Sequence, residues 1–176
     1  MIPRALPKPT TAPRDREYIE SRSSRTADGC LLWAGYVDRG GYGQIRHDGK
    51  TDGAHRVAWE VANGPIPEGM SVDHICHNRA CVNADHLRLA SPTENQWNRS
   101  GAERASSSGI RNVRLEARRK RWLVRVIKNG RAHGGYYKEL EEAALAAETL
   151  RRELFGQFSG PTPRLDALSS RSPEGA

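Results

Sequence analysis

The sequence predicts an α+β chain of two small units. The first is a zinc-stabilised set of short strands and helices. The second is a small three-stranded antiparallel sheet packed on one helix. Three observations predict this. Cysteines and histidines recur at metal-ligand spacing in His74-x-Cys76-x4-Cys81-x4-His86-x8-Asn95. A polar stretch of small residues (NRSGAERASSS) separates two segments of different charge pattern and reads as a linker. Beyond it, strand-like runs joined by an Asn-Gly pair lead into apolar residues at helical spacing.

The elements follow in order. Residues 1–14 are rich in Pro, Arg and Thr and read as disordered; RDREYIESR (14–22) reads as a short helix. Strands are expected at Cys30–Ala34 and Tyr42–Arg46, joined by the glycine-rich DRGGYG turn. HRVAWEVA (55–62) reads as a helix stopped by Asn63-Gly64-Pro65. Met70–Ile75 is an expected strand leading into the Cys/His motif. Ser91 as cap, Pro92 at the first position and Glu94 at the third mark a helix start, which places Asn95 in its first turns. The first unit is thus expected over 23–98 and the linker over 99–108. In the second unit, 109–159, strands are expected at Gly109–Arg114, Arg121–Lys128 and Arg131–Lys138. Asn129-Gly130 turns between the last two. Leu140, Ala143, Ala144, Ala147, Leu150 and Leu154 then mark a helix. The tail 160–176 is rich in Pro and Ser and is expected to be disordered.

Composition narrows the function. Only 36% of the 176 residues are hydrophobic and mean hydropathy is −0.75, so a single large core is not expected. Small domains with thin cores rely on a metal or another staple. The net charge of +7 and pI of about 9.7 favour a polyanionic partner, nucleic acid or an anionic membrane. No apolar run reaches the roughly 18 residues of a membrane span, and the N-terminal stretch has no apolar signal core. Three cysteines cannot all pair within one chain. A cytosolic, metal-using role fits them better than a disulfide framework.

Two chemistries share the motif. Cys30, Cys76, Cys81 and His86 form a Cys3His set, a standard combination for structural zinc. Cys30 is the most distant member; His47, His55 and His77 are the alternatives. His74, at the end of a strand, can take a proton from water. Asn95 and Asp73 offer oxygen donors to a hard divalent ion at a scissile phosphate. Asp73 is expected to leave the strand on the face opposite His74.

These residues carry a resemblance. GYGQIRHDGKTDGAHRVAWEVANGPIPEGMSVDH, CHNRACVNADHL and SPTENQWN resemble the HNH, or His-Me finger, endonucleases of phages and mobile introns. The Cys/His spacing is similar to that of the His-Cys box branch of homing endonucleases. The resemblance implies a ββα-metal fold over about 70 residues. It also implies His74 as general base, Asn95 as magnesium ligand and Asp73 as a second ligand. The Cys3His set would hold structural zinc. The three letters fall on His74, His86 and Asn95. Many phage members carry Asn at the position of His86, and Asn83 is the other choice for the middle letter. Arg56, in the His55-Arg56 pair, would clamp the phosphate; a surface ion pair is its plain alternative.

From Gly109 to Lys138 the chain holds ten Lys or Arg and one acid, Glu116. Arg111, Arg114, Arg118, Arg119, Lys120, Arg121, Arg125, Lys128 and Arg131 are expected to line one sheet face. Such a sheet can enter the DNA major groove with Arg reading guanine. SGIRNVRLEARRKRWLVRVIKNGRAHGGYYKELEEAALAAETLRRELFG resembles the Apetala, or ethylene-response-factor, DNA-binding domain. That resemblance implies DNA contacts from Arg114 and Arg125. It sets Trp122 at the start of the second strand, where core packing is the other reading. Asn112 stands where that family usually has Gly.

Taken together, the resemblances imply a metal-dependent endonuclease acting on double-stranded DNA in a bacterial or phage-infected cytoplasm. The alternatives are a non-catalytic, zinc-stabilised DNA-binding regulator and an RNA-binding protein.

Overall fold

A computed structural model describes residues 15–47, 50–99, 101–102 and 106–161. The segments expected to be disordered, 1–14 and nearly all of 160–176, lie outside the described residues, as does part of the expected linker. The chain divides into two compact units, Met1–Pro92 and Thr93–Ala176.

The first unit is mixed α/β with small antiparallel sheets. Helix α1 (Arg16–Ser21) starts at Asp15, whose carboxylate accepts from the Tyr18 amide. Strand β1 (Ser23–Arg25) pairs with β2 (Leu31–Trp33), and β3 (Gln44–His47) with β4 (Lys50–Gly53). Helix α2 (Ala54–Asn63) buries Ala54, His55, Val57 and Ala58, one face at helical spacing. It ends at Gly64, whose φ of +88° continues no helix. Strand β5 (Ser71–His74) pairs with β6 (Leu87–Ala90), so that Asp73 faces Arg88 across the ladder. Helix α2 packs on both β3–β4 and β5–β6. The core is thin: Ile19, Trp33, Ile45, Ala54, Val57, Ala58, Val72, Val82 and Leu87.

The expected strands at Cys30–Ala34 and Tyr42–Arg46 both occur, but they are not partners. Each pairs with a neighbour, β1 or β4, too short and polar to read from sequence. Between them the chain folds back at Val37 and Gly43. Gly43 is needed there, because a Cβ would lie 2.7 Å from the Trp33 ring.

The second unit includes most of helix α3 (Pro92–Trp97), then β7 (Val113–Glu116), β8 (Arg121–Lys128), β9 (Arg131–Tyr137) and α4 (Leu140–Phe155). The strands form one antiparallel sheet in the order β7-β8-β9. Asn129 and Gly130 both take positive φ, +51° and +76°, as an Asn-Gly hairpin turn requires. Helix α4 covers one face with Leu140, Ala143, Ala144 and Ala147 against Val113, Trp122, Val124 and Val126. Trp122 is core. Trp97 of α3 stacks on Phe155 at 4.8 Å, so residues 93–98, expected in the first unit, group with the second. Gly134 faces Arg125, and a Cβ there would collide with the Val124 carbonyl at 2.1 Å.

Several of the expected face residues are corrected by the structure. The outer face carries Arg121 and Arg125 of β8 with Arg114 of β7. Lys128 shares the parity of Trp122, Val124 and Val126. Its ammonium donates to the Leu154 carbonyl and lies over the Trp97 ring, away from that face. Arg111 precedes the strand, which begins only at Val113, because Asn112 takes a φ of +67°. Its guanidinium donates to the carbonyls of Arg99 (2.7 Å) and Ser159 (3.5 Å), and burial pushes its pKa down to about 10. Arg118 and Arg119 sit in the turn Ala117–Arg119 rather than on a strand; Arg119 lies over the exposed Tyr136 ring. Arg131 is exposed but has the inner parity.

Candidate metal cluster and catalytic histidine

The connection between β5 and β6 carries three of the four predicted metal ligands. It has little secondary structure beyond the 3-10 turn Ala84–His86, where Asn83 accepts from the Asp85 amide. The segment 80–82 docks onto β2. Trp33 N donates to Ala80 O at 2.9 Å and Val82 N to Leu31 O at 2.7 Å. This docking sets Cys81 beside Cys30, just before β2. The Asn83 amide then donates to the Gly29 carbonyl at 2.9 Å, tying down the same turn from the other side. Asn83 therefore works as a cap and brace.

The result is a cluster in which the ligand atoms of Cys30, Cys76, Cys81 and His86 all lie within 4.8 Å of one another. His86 Nδ1 is 3.5 Å from the Cys30 sulfur and 3.8 Å from that of Cys81. Cys30 and Cys81 are buried, Cys76 and His86 half-buried. All three thiols are free. Burial, together with the neighbouring thiols, pushes the Cys76 pKa up to about 12. Three thiols and an imidazole converging without disulfides is the donor set of a tetrahedral zinc site. The cluster could hold a zinc ion. His55 and His77, the alternatives to Cys30, are not part of it; the side chain of His47 lies outside the described residues.

His74 stands beside this cluster at the end of β5 and is buried. Its Nε2 is 3.0 Å from the Cys81 carbonyl oxygen. A carbonyl only accepts, so Nε2 carries the hydrogen and the basic lone pair of the neutral ring is on Nδ1. Burial holds the His74 pKa below the ordinary histidine value, which favours that neutral form. The ring packs, tilted, in a set that sequence reasoning missed. His55 lies 4.9 Å from it between centroids, and Tyr42 6.1 Å. His55 is itself buried, which lowers its pKa to about 4, and its Nδ1 has no hydrogen-bond partner among the described residues.

The other predicted site residues are placed as follows. Asp73 is buried and ion-paired with Arg88, Oδ2 to Nε at 2.9 Å, both side chains nearly sequestered. Removing either partner would leave an uncompensated buried charge, at a cost of about 3–5 kcal/mol. Arg56 is half-exposed and pairs with Asp52 at 3.5 Å, four residues earlier. Asn95 is exposed on α3, in the segment grouped with the second unit.

Comparison with known proteins adds the family. The profile of the HNH endonuclease family matches residues 52–97. Protein 3.8 of Escherichia phage T7 is 37% identical over 110 residues, which span 62% of this chain and 90% of that protein. Protein 7.7 of the same phage is 42% identical over 66 residues, 38% of this chain and 51% of the relative. The "Uncharacterized HNH endonuclease L560" of Acanthamoeba polyphaga mimivirus is 32% identical over 130 residues, covering 72% of this chain and 65% of the relative. No solved structure matches. Among the described residues no helix is long and apolar enough to cross a membrane.

Proposed function

The chain belongs to the HNH endonuclease family, and from that premise we propose that it hydrolyses phosphodiester bonds of duplex DNA with His74 as general base. The observation that carries this is the bond from His74 Nε2 to the Cys81 carbonyl. It fixes the tautomer, and burial keeps the ring neutral at ordinary pH. Nδ1 then takes the proton of the attacking water. Arg56 steadies a phosphate by exchanging its half-exposed partner Asp52 for the substrate.

Asn95 and Asp73 are the proposed holders of a divalent ion, magnesium or its like. Asn95 enters by its place in the matched segment, Asp73 by its place next to His74. Both offer oxygen donors, which suit a hard cation, and the Asp73 carboxylate would be shared with Arg88. Such an ion would neutralise charge developing at the phosphate and the leaving oxygen. The Cys3His cluster is read as the separate, structural zinc site. The test is nicking of supercoiled plasmid with and without magnesium, using wild type and Asn95→Ala. The wild type is expected to cut only with the divalent ion, and Asn95→Ala to cut far more slowly with its magnesium midpoint displaced. Metal-independent binding without cleavage would instead identify a zinc-stabilised regulator.

The second unit is proposed to grip DNA through the outer sheet face, where Arg114, Arg121 and Arg125 project beside Leu123 and Ile127. Arg114→Ala with Arg125→Ala is expected to weaken duplex binding and to lower the salt slope by about one for each phosphate no longer neutralised. Any base contacts among them supply the site preference. Unaltered affinity and salt slope on titration with sodium chloride would remove the sheet from the interface.

A further inference from the structure

The turn from Tyr36 to Gln44 combines two properties: its first two residues are exposed and apolar, and its interior is heavily braced. Tyr36 is 72% exposed and Val37 39%, with Arg39 exposed beside them. Next in the chain, Asp38 organises the turn. Its Oδ1 accepts from the amides of Gly40 (2.8 Å) and Tyr42 (2.9 Å), and its Oδ2 from the Gln44 side chain (2.8 Å). These bonds hold the carboxyl below its usual range. Main-chain bonds from Asp38 N to Tyr42 O and from Gln44 N to Tyr36 O close the loop at 2.9 and 2.8 Å. Arg79, from the β5–β6 connection, donates to the Gly40 carbonyl at 2.8 Å and lies 5.3 Å over the Tyr42 ring.

So many bonds keep a tyrosine and a valine in water, where neither gains from burial. A surface aromatic carried on a backbone braced in this way suits a partner. Charge identifies the partner. The single carboxylate of the turn is engaged by three donors within it, while Arg39 and Arg79 are exposed. Position agrees: within the turn the Tyr42 ring packs against His55 and, at 6.1 Å, against His74.

We propose, on the basis of the nuclease reading, that this turn is a preformed finger laid on duplex DNA beside the scissile phosphate. Tyr36 and Val37 meet sugar and base edges, and Arg39 and Arg79 meet the phosphate backbone. Its role is in holding DNA; no proton passes through it.

The test uses the full chain and a plasmid fragment whose cut position the wild type defines. Tyr36→Ala combined with Arg39→Ala is expected to raise Kd for the duplex about tenfold, the scale of removing one phosphate neutralisation and one apolar side chain from the interface. The single-turnover rate at saturating protein should be essentially unchanged. Hydroxyl-radical footprints, taken in the His74→Ala background, should lose protection within a few base pairs of the cut and keep it elsewhere. Tyr36→Phe, which retains the ring, should bind as the wild type does. Zinc content and melting temperature confirm the fold, and Arg39→Ala alone substitutes if the double variant is unstable. Unchanged affinity and footprint overturn the proposal, as does a loss confined to an RNA probe. Failure of the wild type to cut with any divalent ion would sink the nuclease reading. Duplex affinity would still decide whether the turn touches DNA.

Discussion

His74→Ala is expected to slow DNA cleavage by about 10²–10⁴-fold, the usual worth of a general base, and to leave DNA affinity nearly unchanged. The reason is geometric. His74 is buried, so little of it is presented for binding, and its Nε2 is committed to the Cys81 carbonyl. In the proposed reaction, what the ring offers the substrate is the basicity of Nδ1. Single-turnover kinetics at saturating protein separate this from a binding defect, because loss of a group that acts only in the transition state lowers the rate and not the affinity. His74→Gln is the useful companion: it retains a polar side chain of related size without an equivalent base, and should be equally slow. Near-normal turnover in either variant would dismiss His74 as the base.

Much of the fold is legible where local chemistry dictates it. The one-sided apolar spacing of α2 and α4, the stop at Gly64 and the Asn129-Gly130 turn are written in single residues. Strands β1, β4 and β6 are not. Sequences such as SSR and KTDG become strands because partners lie beside them, and pairing has no local signature. The Cys3His set is legible by residue type, but not the reason Cys30 joins it. That reason is the backbone docking of 80–82 onto β2. The bond that orients His74 is invisible as well, since its acceptor is a main-chain carbonyl that any residue could supply. The inward position of Lys128 does have a local signal. It shares its parity with Trp122, Val124 and Val126, and strict alternation along β8 sends it inward. Arg111 is different: that strand starts late because Asn112 takes a left-handed conformation, a position where Gly would be expected.

The second large effect is expected from the metal cluster. Cys81→Ser, or exhaustive chelation, should release a zinc ion, bound one per wild-type chain, and unfold the first unit. The core of that unit is a thin one of nine described side chains, two of them alanines. Structural zinc in small domains supplies an apparent binding energy of about 10–16 kcal/mol, as large as the typical total stability of about 5–15 kcal/mol. Losing it should therefore be decisive rather than incremental. The effect on chemistry should be just as large. Cys81 contributes its sulfur to the cluster and its carbonyl to His74, so the connection that would hold a metal also positions the proposed base. Cleavage should disappear with the zinc. Salt-sensitive DNA binding should survive to the extent that the outer sheet face of the second unit provides it. Metal analysis, circular dichroism and plasmid nicking on one preparation make the test. A protein stripped of zinc that stays folded and still cuts DNA would show that Cys30, Cys76, Cys81 and His86 hold no structural metal.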